Sequence, residues 1–296
     1  MPFLGAHMSI AGGIDTCFDR LHKINGAALQ IFTTNQRQWR AGRLSPESIE
    51  LFKTKWEESG HVPAAAHDAY LINLAAADGQ ILSRSVTAFA EELRRCARLG
   101  IPYLIMHPGA HVGEGIEAGL ARLVANLDEA IGISGAESVS ILLENTAGQG
   151  SSLGSSFEEL SFVLKNSRYG ETMGVCYDTC HGFASEYDIR SEEEYNRTMS
   201  RFEQTIGLSR LKFFHLNDCK RELGARVDRH EHIGKGKIGI EGFRLLVNDP
   251  RFQNHPMVLE TPKGKDMKED IENLATLRSL LENNGETQED PPYKPA

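Results

Sequence analysis

The chain has 296 residues, 40% of them hydrophobic and 25% charged, a globular composition that excludes a small disulfide scaffold and wholesale disorder. Its 41 acidic and 32 basic residues leave a net charge of -9, which argues against a polyanionic partner unless positive charge is supplied locally. No apolar run approaches the roughly 20 residues of a membrane-spanning helix, no secretory signal opens the chain, and cysteines at 17, 96, 176, 180 and 219 read as free thiols of the reducing cytoplasm rather than a disulfide framework.

In chain order, eight β-rich runs appear: FLGAH (3–7), AALQIFT (27–33), VPAAA (62–66), PYLIM (102–106), VSILL (139–143), MGVCY (173–177), LKFF (211–214) and PMVL (256–259). Amphipathic helical stretches separate them, as from Gln80 to Leu99, where Ile81, Val86, Phe89, Leu93 and Cys96 recur every three to four residues. Pro46 suits a first helical turn, Gly60, Gly100 and Gly170 suit helix ends, and a last helix is expected over about 269–284. Eight such units predict an α/β fold, a (β/α)8 barrel with its active site at the C-terminal ends of the strands. A doubly wound sheet is the alternative, but neither GxGxxG nor a Walker motif follows the first strand. One barrel domain over 1–284 is expected, with a polar tail, 285–296, left disordered.

Six successive runs are followed at once by a residue able to bind a metal: His67, His107, Glu144, Asp178, His215 and Glu260. They stand 34 to 45 residues apart, yet a parallel barrel delivers all strand ends to one face. His181, in DTCH, and Asp228 and His230, in VDRHEHIG, lie in the loops that follow. A lone histidine after a strand is more often a hydrogen-bonded structural residue, but six ionisable residues in register are not a packing pattern. Five histidines and four carboxylates exceed what one ion takes and suit two or three; the mixture favours zinc, alone or with manganese or iron. His232 shares the alternation of His230 and competes with it. His7 follows a strand as a pocket residue, whereas His22, His61, His111 and His255 read as structural, and the thiols of Cys176 and Cys180 as buried rather than ligating.

HDAYLINL (67–74), HPGAH (107–111), ENTAGQG (144–150), CYDTCH (176–181), HLND (215–218), DRHEHIG (228–234) and LETP (259–262) together closely resemble endonuclease IV, a family of apurinic/apyrimidinic endonucleases with a trinuclear zinc site, over about residues 3 to 280. The resemblance implies a barrel enzyme that hydrolyses the phosphodiester bond 5′ to an abasic site in duplex DNA, leaving a 3′-hydroxyl and a 5′-deoxyribose phosphate, and that trims blocked 3′ ends. It assigns His67, His107 and Glu144 to one zinc, Glu144, Asp178, His215 and Glu260 to a second, and His181, Asp228 and His230 to the third, with manganese or iron as substitutes at one position. It also implies that Arg37, Tyr70 and Leu71 enter the duplex at the lesion. The chemistry fits: a phosphodiester gains negative charge at the transition state, and water is a poor nucleophile at neutral pH, so Glu144 would bridge two ions and Glu260 would orient or deprotonate the water. Three divalent ions offset two-thirds of the net charge of -9, and NQRQWR (35–40) with Arg43 adds a basic patch on the same face. The rival reading is a metal-dependent sugar isomerase or epimerase on the same barrel, which needs fewer histidines and a lysine near the strand ends; none is found. No membrane partner is implied, and a monomer suffices.

Overall fold

Strands of four to six residues, β1 (Phe3–Met8), β2 (Leu29–Phe32), β3 (Ala64–His67), β4 (Tyr103–Met106), β5 (Ser140–Glu144), β6 (Gly174–Asp178) and β7 (Leu211–Leu216), present alternate side chains to the two sides of the sheet. The chain then forms a small antiparallel pair, β8 (Asp218–Cys219) and β9 (His230–Glu231), before the final strand β10 (Pro256–Leu259). β1 to β7 and β10 pair in parallel and in sequence order, and β10 closes the ring onto β1. This computed structural model describes residues 1–36, 38, 39 and 42–282. Arg37 and the expected tail, 285–296, lie outside them. Among the described residues no helix is long and apolar enough to cross a membrane.

Outside the sheet run α1 (Thr16–Lys23), α2 (Pro46–Glu58), α3 (Gly79–Leu99), α4 (Ile116–Ser134), α5 (Phe157–Asn166), α6 (Thr179–Ala184), α7 (Glu192–Thr205), α8 (Gly239–Val247) and α9 (Lys268–Ser279). Their starts follow local chemistry: Ser45, Asp78, Ser156 and Ser191 each accept a main-chain N–H of the first turn. Gly100 closes α3 in the left-handed region (φ 84°) as expected. Gly170 does not close a helix. It opens a 3-10 turn where an added Cβ would lie 1.8 Å from the Leu164 carbonyl oxygen, so close approach requires it rather than left-handed backbone. α9 ends at Ser279, short of the expected 284, because Asn248 draws the chain aside, donating to the Leu280 carbonyl and accepting from Glu282 N–H (2.8 Å each).

The barrel interior is plugged by one buried side chain per strand: Phe3, Ala28, Ala65, Ile105, Leu142, Cys176, Phe213 and Val258. Met8, Ile31, Leu104, Leu143, Val175 and Leu216 belong to the larger core between sheet and helices. Two residues beyond seven of the plug residues, on the same face, stand Gln30, His67, His107, Glu144, Asp178, His215 and Glu260. In β1 the equivalent place falls to Gly5, and His7 follows one step later. The plug thus floors a polar layer at the C-terminal mouth. The strands also run farther than the sequence suggests: His67, Glu144, Asp178 and His215 are strand residues, paired to Phe32, Cys176, His215 and Asp178 respectively, rather than the first residues of loops.

Gly5 packs so tightly that a Cβ would sit 1.7 Å from the Ala28 carbonyl oxygen, whereas at Gly79, in the first turn of α3, nothing lies within 4 Å. Gly5→Ala is therefore expected to destabilise the fold by about 3 kcal/mol, and Gly79→Ala to leave it unchanged or raise it by about 0.5 kcal/mol, as read from urea midpoints. Equal midpoints for the two variants would contradict this packing.

Candidate metal centre

β6 shows how local sequence builds the centre. Asp178 ends the strand and caps α6, its Oδ1 accepting the His181 main-chain N–H (2.8 Å), so the spacing D-T-C-H places an imidazole one turn above its own carboxylate. His181, expected in a loop, is thereby on a helix. Oδ2 of Asp178 turns inward and accepts from Asn217 Nδ2 (2.6 Å). On the far side β9 pairs with β8 and carries His230, and Asp228 precedes it.

The expected ligand residues meet in three overlapping groups. His67, His107 and Glu144 form one, Glu144, Asp178, His215 and Glu260 another, and Asp178, His181 and His230 a third, each with one donor atom per residue within 4.8 Å of the others. Asp228 joins the last group through Oδ2, 3.3 Å from His181 Nε2, and Oδ1, 3.3 Å from His230 Nε2. Glu144 sits between all of them. Its Oε2 is 3.0 Å from His67 Nε2 and 3.3 Å from His107 Nε2, and its Oε1 is 3.0 Å from His181 Nδ1 and 3.1 Å from His215 Nδ1.

These separations test whether metal ions fit. Donors bound about 2.0–2.1 Å from a tetrahedral ion stand roughly 3.3 Å apart, and the donor pairs of His67, His107, His181, His230 and His215 with carboxylates measure 3.0 to 3.3 Å. Glu144 Oε1, His215 Nδ1 and His230 Nε2 are buried and make no hydrogen bond, an expensive state for polar atoms unless an ion satisfies them. The chemistry and spacing of this set suit divalent ions.

The charges hold one another. Burial opposes ionisation of Glu144, but the neighbouring His215 and His107 outweigh it and keep its carboxyl well below the usual range. Against burial, His215 and His7 hold Glu260 low, and His181 and His230 hold Asp228 down at about 2. In return the imidazoles gain protons: burial alone would lower them, yet Asp68 and Glu144 raise His67, and Asp178, Asp228 and Glu144 raise His181 well above the ordinary value; Glu260 and Glu144 raise His215.

Several residues of this site escape the sequence reading. Gln30 bonds to both His215 and Glu260. Asn145 brackets Asp178, accepting its main-chain N–H (2.7 Å) and donating to its carbonyl (3.0 Å). Asn217 ties Asp178 to Glu260, whose N–H it accepts (3.0 Å). The in-register position two residues past Ala28 was a signal for Gln30; nothing local marks the asparagines. A lysine does stand near the strand ends, contrary to the expectation that none would: Lys263 donates to the His7 carbonyl (2.8 Å) and pairs with Asp270 (2.7 Å), neither of them among the clustered histidines and carboxylates. His230 rather than His232 faces the centre, because β9 ends at Glu231 and the His232 ring turns to Asn273, accepting from its Nδ2 (3.1 Å). Cys180 comes near Asp228 and His230, but its hydrogen bond to the free thiol of Cys219 and its burial keep it protonated and a poor ligand. Tyr70, 65% exposed, and Leu71 follow β3 at the same mouth, the tyrosine edge-on to Phe32 at 5.6 Å.

The comparisons with known proteins agree with this arrangement. The family model described as a xylose isomerase-like TIM barrel matches residues 18–279. A probable endonuclease 4 of Chloroflexus aurantiacus is 51% identical over 282 residues, covering 95% of this chain and 99% of that protein. The chain belongs to the endonuclease IV family. A probable endonuclease 4 of Geobacter sulfurreducens is 48% identical and covers 94% of each chain. The crystal structure of endonuclease IV from Thermus thermophilus superposes with a TM-score of 0.85 at 36% identity, over 94% of this chain and 98% of that one. A D-tagatose 3-epimerase-like protein also superposes, at a TM-score of 0.70, over 93% of this chain and 96% of that one, but at 17% identity it shares the fold alone. The endonuclease IV assignment therefore prevails over the isomerase alternative.

In the metal-free endonuclease the raised imidazoles keep protons that a bound ion must displace. A histidine raised in the folded state stabilises the metal-free fold fully below its unfolded pKa of about 6.5, and that contribution is lost as pH rises through the folded value. The metal-loaded protein holds no proton there. The gap in Tm between zinc-loaded and chelated protein, at fixed free zinc, is expected to widen from pH 6.5 to 8.5; a flat or narrowing gap in calorimetry would rule out this proton competition.

Proposed function

We propose that this chain is a zinc-dependent DNA repair phosphodiesterase that cuts the backbone 5′ to abasic sites in duplex DNA, leaving a 3′-hydroxyl and a 5′-deoxyribose phosphate, and that trims blocked 3′ ends. The observation that carries the reading is the convergence of His67, His107, Glu144, Asp178, His181, His215, Asp228, His230 and Glu260 at one barrel mouth, in overlapping groups joined through Glu144 and Asp178, in a chain of this family. We assign these nine side chains as the ligands of three ions, zinc at each or manganese or iron in place of one. Bound ions supply Lewis-acid neutralisation of the phosphodiester and activation of water at neutral pH.

The chain's own groups do the rest. Glu144 turns Oε2 to the Nε2 atoms of His67 and His107 and Oε1 to the Nδ1 atom of His215, so its two oxygens would serve both of the ions those histidines would hold. Glu260, with Oε1 held by Gln30 (2.6 Å) and Oε2 directed at His215 Nδ1 (3.2 Å), is fixed in place to orient or deprotonate the attacking water. A cavity of about 400 Å³ opens beside His107 and His181, lined also by Tyr70, Asn73 and Gln149, and receives the extruded sugar phosphate. Extrusion is least costly where no base has stacking to lose. Tyr70 and Leu71 at the rim prop the duplex, and Arg37 is assigned to the same task from the sequence. All nine ligand residues come from one chain, so a monomer working in the cytoplasm, with a single catalytic domain over 1–284, is the form proposed.

An end-labelled duplex with one stable abasic analogue tests the reading. A single cut 5′ to the lesion, lost on chelation and restored by Zn2+, is expected, whereas no cut by protein carrying about three metals would overturn the nuclease assignment. Glu260→Gln is expected to lower turnover by roughly 100- to 10,000-fold while lesion affinity in a filter-binding assay stays near wild type. Unchanged turnover would remove Glu260 from the chemistry.

A further inference from the structure

Gln30 is the one side chain of the ring above the barrel plug that carries no titratable group. It is fully buried, between apolar neighbours in LQIF, and an amide there has to satisfy both of its ends. A carboxylate oxygen only accepts, so the NH2 must face Glu260 and the carbonyl His215. Gln30 Nε2 donates to Glu260 Oε1 (2.6 Å) and to His7 Nδ1 (2.8 Å), and Gln30 Oε1 accepts the Nε2–H of His215 (2.6 Å).

That last bond decides which nitrogen of His215 carries the proton. With Nε2–H committed, Nδ1 is the nitrogen left to face Glu144 Oε1 at 3.1 Å and Glu260 Oε2 at 3.2 Å. The other rings are set differently. His67, His181 and His230 donate Nδ1–H to the carbonyls of Asp68 (2.9 Å), Asn145 (2.9 Å) and Glu260 (3.2 Å), and each turns Nε2 to the centre. Their tautomers come from main chain that substitution cannot remove, whereas that of His215 comes from a side chain.

We propose that Gln30 is a positioning residue for one metal position, that of Asp178, His215 and Glu260, where a single amide fixes the imidazole tautomer and the carboxylate rotamer together. The inference rests on the metal reading above and adds to it a residue of β2, a strand that supplies no ligand. Loss of such a partner typically weakens a metal site 10- to 100-fold.

The test uses zinc-loaded wild type, Gln30→Met, which keeps the volume and removes both bonds, and Gln30→Glu, which keeps the acceptor for His215 and removes the donor to Glu260. Zinc release to excess chelator is followed with a metal-sensitive dye, and the tautomer by 15N spectra of the histidine-labelled proteins after the metal is removed, at alkaline pH where the ring is neutral. In Gln30→Met about one third of the zinc is expected to leave roughly 10- to 100-fold faster, with the rest at the wild-type rate, and His215 to lose its pure Nε2–H signature. Gln30→Glu should keep that signature and still release one third faster. Release at the wild-type rate from both variants, or an unaltered His215 signature in Gln30→Met, overturns the proposal alone. Should Gln30→Met not fold, Gln30→Glu decides by the same release measurement. Wild-type protein that holds no zinc overturns the metal reading and this proposal with it.

Discussion

Glu144 is a fully buried carboxylate, and the mouth of the barrel is organised around keeping it charged. An unpaired carboxylate in such a place would cost several kcal/mol and would take up a proton instead. Imidazoles from β3, β4, α6 and β7 stand 3.0 to 3.3 Å from its two oxygens, and those imidazoles in turn need the further carboxylates of Asp178, Asp228 and Glu260. Without ions the cluster is held by protons shared among acids and bases, with atoms such as His215 Nδ1 left unbonded. Such an arrangement is selected for what it binds, and the stability that carries it comes from elsewhere.

It comes from directly beneath. The plug of Phe3, Ile105, Leu142, Phe213 and Val258 with its smaller partners seals the barrel below the polar layer, and the aliphatic core between sheet and helices surrounds it. Because each strand-end histidine and carboxylate stands two residues past a plug residue, apolar packing and the placement of these side chains are set by the same backbone alternation. A slip of one residue in any of these strands would send its ionisable side chain outward to the helices and an apolar side chain into the mouth. The precision that a metal centre demands is thus borrowed from the register of the barrel.

This coupling explains what could be read in advance. The strands, their parallel order and the histidines and carboxylates at the strand ends were legible because alternation and punctuation are local signals, and the converging face follows from the fold. His181 and Asp178 were legible as residues but not as a helix cap with its cargo, since DTCH looks equally like a turn. Gln30 was missed because a lone glutamine in a strand has no chemical signature of its own; only its register with His67 and His107 distinguishes it, and register is known once the barrel closes. Asn145 and Asn217 act across strands on Asp178, so no spacing along the chain could reveal them. Lys263 was passed over for a related reason: its partners, the His7 carbonyl and Asp270, are distant in sequence, and only they show that it braces the mouth rather than facing the centre.

An acidic protein that handles DNA needs its positive charge to be local. The net charge of -9 spreads over the surface and is screened beyond about 8 Å at physiological ionic strength, whereas the proposed ions at the mouth would act on a phosphate at contact distance, where screening is weak. Long-range attraction to DNA is therefore weak for this chain, and on the proposed function much of its affinity would come at short range, from ions, rim side chains and a lesion that yields readily. On that proposal the protein would be held loosely on intact duplex, where the backbone stays out of reach of the centre, and firmly only where a nucleotide can leave the stack. The same negative charge that first argued against a nucleic-acid partner then serves selectivity, by withholding the nonspecific affinity that a basic surface would provide.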